Sequence, residues 1–133
     1  VREQIGSSLM QLFLAALVGG ALGSGARYLV YATLIPLLGA AFPWATITVN
    51  IVGSFLMGVV VEASSLLGGT ALWRTFLATG VLGGFTTFSA FSLDVFELFE
   101  RRQSIVAITY VAASVLISVA ALTGGLALVR SLR

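Results

Sequence analysis

Neither cysteine nor histidine occurs in the 133 residues, all seven basic residues are arginines, and charged residues of every kind make up only 9%. Without thiols there are no disulfides and no thiolate chemistry. Without imidazole there is no histidine-ligated metal and no usual proton shuttle. A soluble domain carries about 25% charged residues, so this chain lacks the polar surface to cover itself in water. The arginines are scattered and the net charge is only +2; with no basic cluster, nucleic acid is excluded as a partner. What remains is 59% hydrophobic, with mean hydropathy +1.09. That composition defines an all-α integral membrane protein and, at this length, a single domain over residues 1–133.

Four apolar stretches, about 9–29, 44–67, 72–99 and 105–129, are each long enough for a bilayer core of roughly 30 Å. Pro36 and Pro43 bracket the first loop, Gly68 and Gly69 mark the second, and Glu100 to Gln103 form the third. The length of the first stretch and the three that follow predict a membrane helix there, not a signal peptide with Arg2 as its charged region. Four spans leave both termini on one side. Arg2, Arg74, Arg130 and Arg133 then face Arg27, Arg101 and Arg102. So small a bias gives little to orient the chain. It predicts insertion both ways round and an antiparallel homodimer, which would supply the inverted symmetry that larger transporters encode as internal repeats. Chance in a short sequence, or an Arg27 inside the membrane, would remove that inference.

Within the first span, Gly19-x-x-x-Gly23 and Gly20-x-x-x-Ser24 are small-residue patterns that let helices approach closely. Arg27 follows near the end of the apolar run, where it either snorkels to the interface or faces a water-filled vestibule that attracts anions. In the second span Thr46, Asn50, Ser54 and Gly58 form one stripe. A carboxamide inside a bilayer must find a partner: Asn50 either bonds to a neighbouring helix or offers its NH₂ to an anion. Glu62 lies near the second loop, which favours an interfacial position over a buried one. Tyr110, Ser114 and Ser118 make a hydroxyl ladder in the fourth span. Serines can satisfy themselves on the i−4 carbonyl, but three in register beside the Thr46–Asn50 stripe point to a polar path.

The most unusual segment is 83–92, Gly-Gly-Phe-Thr-Thr-Phe-Ser-Ala-Phe-Ser, at mid-depth in the third span. Glycine costs roughly 1 kcal/mol against alanine in a helix interior, so a break is expected near 83–87. Non-helical backbone at membrane depth must be buried in protein or line a cavity, and freed carbonyls there can bind a small cation. Phe88 and Phe91 share a face of the helix that resumes. They either pack or present positive ring edges to an anion.

These residues resemble the GG-x-TTFS-x-F-S signature of the bacterial Fluc/CrcB fluoride channels. Gly23 to Arg27 is similar to that family's G-x-x-x-R, and Thr46 to Asn50 to its T-x-T-V-N. The resemblance implies a passive fluoride channel in the bacterial inner membrane, not an enzyme. It implies an antiparallel dual-topology homodimer with two pores. It further implies pore roles for Asn50, Phe88, Phe91, Ser89, Thr46, Tyr110, Ser114 and Ser118, a vestibule role for Arg27, and a structural sodium ion held by the carbonyls of Gly83 and Thr86. Ala90 stands where the family usually has threonine, and Asp94 where it has glutamate. A rival, the small multidrug-type proton-coupled exporter, also has four spans and dual topology. It needs a carboxylate in the middle of the first span; none is there, and Glu62 is a poor substitute.

Overall fold

The computed structural model describes residues 2–132 and, apart from residues 2–5 and 7, their side chains. Arg2 and Arg133, which entered the charge count, lie outside the described side chains. Every regular element among the described residues is helical: α1 (Arg2–Leu38), α2 (Trp44–Leu66), α3 (Ala71–Arg74), a π-helical stretch (Thr75–Leu82), α4 (Gly83–Phe85), α5 (Phe88–Glu100) and α6 (Ser104–Arg130). Four helical runs, Ser8–Leu38, Trp44–Leu66, Ala71–Glu100 and Ser104–Arg130, are long and apolar enough to cross a membrane. Their outer faces are inverted relative to a soluble protein: Leu9, Phe13, Leu17, Leu116 and Val119 all stand exposed.

The first helix runs further than Pro36 suggested. It passes through Pro36 to Leu38 and stops where Gly39 takes φ +81°, its N–H bonded to the Ile35 carbonyl at 2.9 Å. One proline removes one helical donor but does not oblige the chain to turn there. The left-handed glycine supplies the stop. Arg27 therefore sits about 16 Å from the C-terminal end of α1, too deep for the interfacial position its apparent place near the end of the span had allowed.

Two helix pairs hold the bundle, each by backbone approaching backbone. A Cβ on Gly58 would meet Leu122 and Leu126, and one on Gly125 would meet Phe55 and Val59, so α2 lies directly on α6. Likewise Gly19 and Gly23 of α1 face Phe76, Gly80, Val81 and Phe85, and Gly84 faces Gly20 and Ser24. The π-helical stretch serves this second pair. Its i→i+5 bonding takes more residues per turn than the α-helix's 3.6, which matches contacts recurring at 76, 80–81 and 84–85. Gly83 is thereby left exposed on the opposite side.

Between α4 and α5, Thr86 (φ −79°, ψ 159°) and Thr87 (φ −152°, ψ 118°) are extended. Gly53 of α2 sits against the Thr86 methyl, where a side chain would not fit. The small buried core, Ile47, Leu98, Ala107 and Tyr110 with Phe91 packed on it, lies between this segment and the α1–α2 loop.

Candidate functional site

Extended backbone in an apolar bundle exposes peptide groups that helices would satisfy internally, and each such group finds a side chain. Asn50 Nδ2 donates to the Thr87 carbonyl at 3.0 Å, and the Thr87 N–H donates to Asn50 Oδ1 at 2.8 Å. A peptide N–H only donates and a carbonyl only accepts, so these two bonds determine which way the carboxamide points. Arg27 Nη1 donates to the Thr86 carbonyl at 3.1 Å. The Thr86 hydroxyl and N–H both return to the Leu82 carbonyl, at 2.9 and 3.0 Å. Thr87 Oγ1 caps α5 by accepting from the Ala90 N–H at 3.2 Å, and it lies 3.3 Å from Ser89 Oγ. Of the two roles open to Asn50, the structure displays the bond to a neighbouring element. Arg27 is held by this segment and does not snorkel to the interface.

On one side of the extended residues lies a groove of about 330 Å³, whose lining includes Asn50, Phe88, Phe91, Ser114 and Ser118. The Phe88 and Phe91 ring centroids are 5.5 Å apart with planes tilted 42°. Phe88 is 78% exposed, whereas Phe91 packs on Tyr110 at 5.3 Å. The hydroxyl oxygens of Ser114 and Ser118 are buried and have no hydrogen-bond partner. Other hydroxyls in the bundle do bond back to the i−4 carbonyl: Thr33 to Leu29, Ser92 to Phe88 and Thr109 to Ile105, at 2.8–2.9 Å. The two groove serines forgo that local option, at the usual desolvation cost of about 1–3 kcal/mol for an unsatisfied buried group.

Thr46 and Tyr110 sit elsewhere. Tyr110 is wholly buried and donates to Asp94 Oδ2 at 2.9 Å. Thr46 Oγ1 pairs with the Tyr31 hydroxyl at 2.6 Å. These groups border a recess toward the α1–α2 loop, with Asp94, Glu97 and Arg101 among its lining. Ser89 lies on a third surface, in a shallow depression with Ser24, Arg27, Tyr31 and Ala90. The fourth-span ladder is therefore divided. Its tyrosine is bound into a carboxylate cluster while its serines face the groove. Asp94 enters this cluster although its sequence reading went no further than its shorter reach. Tyr31 was missed altogether, yet it stands four residues after Arg27 on the same helical face, a usable signal.

Glu62 departs from expectation. It is buried, and its Oε2 lies 3.0 Å from Arg130 Nη2. The pairing explains the burial: a carboxylate near a helix end tolerates desolvation when a guanidinium from the adjoining helix terminus meets it. With Arg27 inside the bundle, the charge count becomes four against two, which weakens the charge argument for insertion both ways round.

Fold and site define a multi-pass membrane protein whose interior polarity comes mainly from hydroxyls, a carboxamide and freed backbone. The profile of the family described as CrcB-like protein, Camphor Resistance (CrcB), matches residues 14–126, and the chain belongs to that family. Its relatives include a protein named Fluoride-specific ion channel FluC from Rhizobium etli (strain CIAT 652), 50% identical over 125 residues, covering 93% of this chain and 99% of the relative. A protein of the same name from Rhodospirillum centenum (strain ATCC 51521 / SW) is 52% identical over 128 residues, covering 92% and 98%. Another from Agrobacterium fabrum (strain C58 / ATCC 33970) is 53% identical over 115 residues, covering 86% and 92%.

Proposed function

We propose that the protein is a passive, fluoride-selective channel that carries fluoride out of the cytoplasm across a bacterial inner membrane. The relatives' names support the ion. The observation that carries the mechanism is the pair of buried, unpartnered serine hydroxyls in the groove beside Phe88 and Phe91. Fluoride is small and strongly hydrated, so a pore must replace its water with several donors and still release it. Ser114 and Ser118 supply neutral O–H donors, and the phenylalanine rings supply positive edges. The α5 N-terminus, starting at Phe88, adds the positive end of a helix dipole. None of these groups is a cationic trap.

The groove is open on one side in a single chain, and Phe88 is largely uncovered. An antiparallel second copy, each subunit completing the other's pore, closes it against lipid. The third span then works as a broken membrane helix, with the extended residues 86 and 87 at the subunit interface. Gly83, exposed there, and Thr86 contribute neutral carbonyl oxygens, and no group of three or more His, Cys, Asp or Glu side chains able to hold a metal occurs among the described residues. That donor set suits a hard monovalent cation, and these two carbonyls from each subunit would hold a sodium ion. Bound there, sodium supplies structural cross-linking; Thr86 meanwhile keeps its bond from Arg27.

An inside-negative potential drives anions outward at about 2.3 kcal/mol per charge per 100 mV, so a selective leak relieves fluoride toxicity without fuel. The coupled-exporter alternative has no support in the site. Its one possible carboxylate in the second span, Glu62, is engaged by Arg130. The test is fluoride efflux from liposomes holding the purified protein with no proton gradient. Rapid efflux is expected; fluoride retained until protons are supplied would overturn the channel reading.

A further inference from the structure

We infer that Asn50 is a positioning residue for this site: its carboxamide clamps the Thr87 peptide and thereby aims the start of α5, with Phe88 and Phe91, at the groove. The inference rests on the channel reading and assigns Asn50 a role within it other than direct ion ligation.

Three observations converge on the Thr87 peptide. The carboxamide forms two antiparallel bonds to one residue, 3.0 and 2.8 Å long, the pattern by which one β-strand residue holds another. Thr87 is buried and extended, so both its peptide groups need partners in an environment where water cannot serve. Thr87 is also the N-cap of α5, with its hydroxyl on the Ala90 N–H. Backbone and side chain of the same residue are thus committed in two directions: the peptide to α2 through Asn50, and the hydroxyl to the first turn of α5. Phe88 is the next residue, and Phe91 follows one turn later. A rotation of the Thr87 peptide would swing both rings together. The clamp spends the carboxamide's acceptor and one of its two N–H donors, which leaves Asn50 a minor capacity to donate to an ion.

Asparagine suits this task for a chemical reason. Serine or threonine is too short to reach both peptide groups, and aspartate offers acceptors only, so Thr87 O would lose its donor. Glutamine carries the same groups on a longer arm. Asn50 is half-buried between Val49, which is fully buried, and Ile51, a packed setting that holds the short arm in one place.

The test reads the Thr87 amide directly. In the reconstituted full chain, hydrogen exchange at Thr87 N–H is expected to be slow. It should accelerate at least tenfold in Asn50→Leu, or in Asn50→Ser where the leucine chain does not fold, and stay slow in Asn50→Asp, which keeps the acceptor. Unchanged exchange in the leucine or serine variant overturns the clamp. In parallel, the Thr87 amide is replaced by an ester with Asn50 left intact. Fluoride efflux should fall several-fold, although no group assigned to the ion has changed; undiminished efflux would return Asn50 to direct ion contact. Failure of the channel reading itself would appear separately, as wild-type liposomes that retain fluoride while Thr87 exchange remains slow.

Discussion

Two polar stretches lie side by side in this bundle and are treated in opposite ways. At residues 86 and 87 the freed peptide groups are taken up by Asn50, Arg27 and the Leu82 carbonyl. On α6, one turn apart, Ser114 and Ser118 are left with no partner although each could bond locally. Satisfied polarity gives rigidity and leaves nothing over; unsatisfied polarity costs stability and keeps a donor available. The contrast separates framework from ligand path more sharply than residue type does, since threonine and serine occur in both.

The comparison can be broken first at the framework. Gly84→Leu should abolish recoverable folded protein, because a side chain there meets the Gly20 carbonyl and Ser24 N–H of α1 with no flexible group to yield. Gly25→Ala, with nothing within 4 Å, is the matched control and should behave as wild type in yield and size-exclusion profile. Next in magnitude, Arg27→Gln should destabilise by about 2 kcal/mol, the scale of a hydrogen bond from a charged donor. A lowered thermal midpoint in detergent checks this, and an unchanged midpoint would show that the Thr86 carbonyl does not depend on Arg27. The smallest stability effect is the most informative. Ser114→Ala combined with Ser118→Ala removes two unsatisfied groups, so the thermal midpoint should hold or rise while fluoride efflux falls at least tenfold. A matching loss of stability would place these serines in the framework after all.

Hydropathy was enough to read four spans, because a run of apolar residues fixes length without any knowledge of neighbours. Glycines and threonines at 83–87 marked unusual backbone for the same local reason. Three features could not be read this way. Helix α1 runs through Pro36 because its end is decided by Gly39 and by packing. Glu62 is buried because Arg130, 68 positions away in the chain, reaches it. The roles open to Asn50 and the fourth-span hydroxyls were all chemically sound in the sequence. Only the three-dimensional partners distinguish Asn50, which has two bonds, from Ser114, which has none.

The π-helical stretch at Thr75–Leu82 carries a consequence for how this chain tolerates insertions and deletions. Wider turns mean that the segment holds about one residue more than an α-helix of the same span of turns. Removing a single residue between 75 and 82 would let the stretch rewind as ordinary α-helix and would rotate everything after it by about 100° relative to everything before. Gly84 would then leave α1, and the exposed face of Gly83 would turn inward. In most membrane helices a one-residue deletion shifts a surface. Here it would exchange the face that binds the neighbouring helix for the face left free.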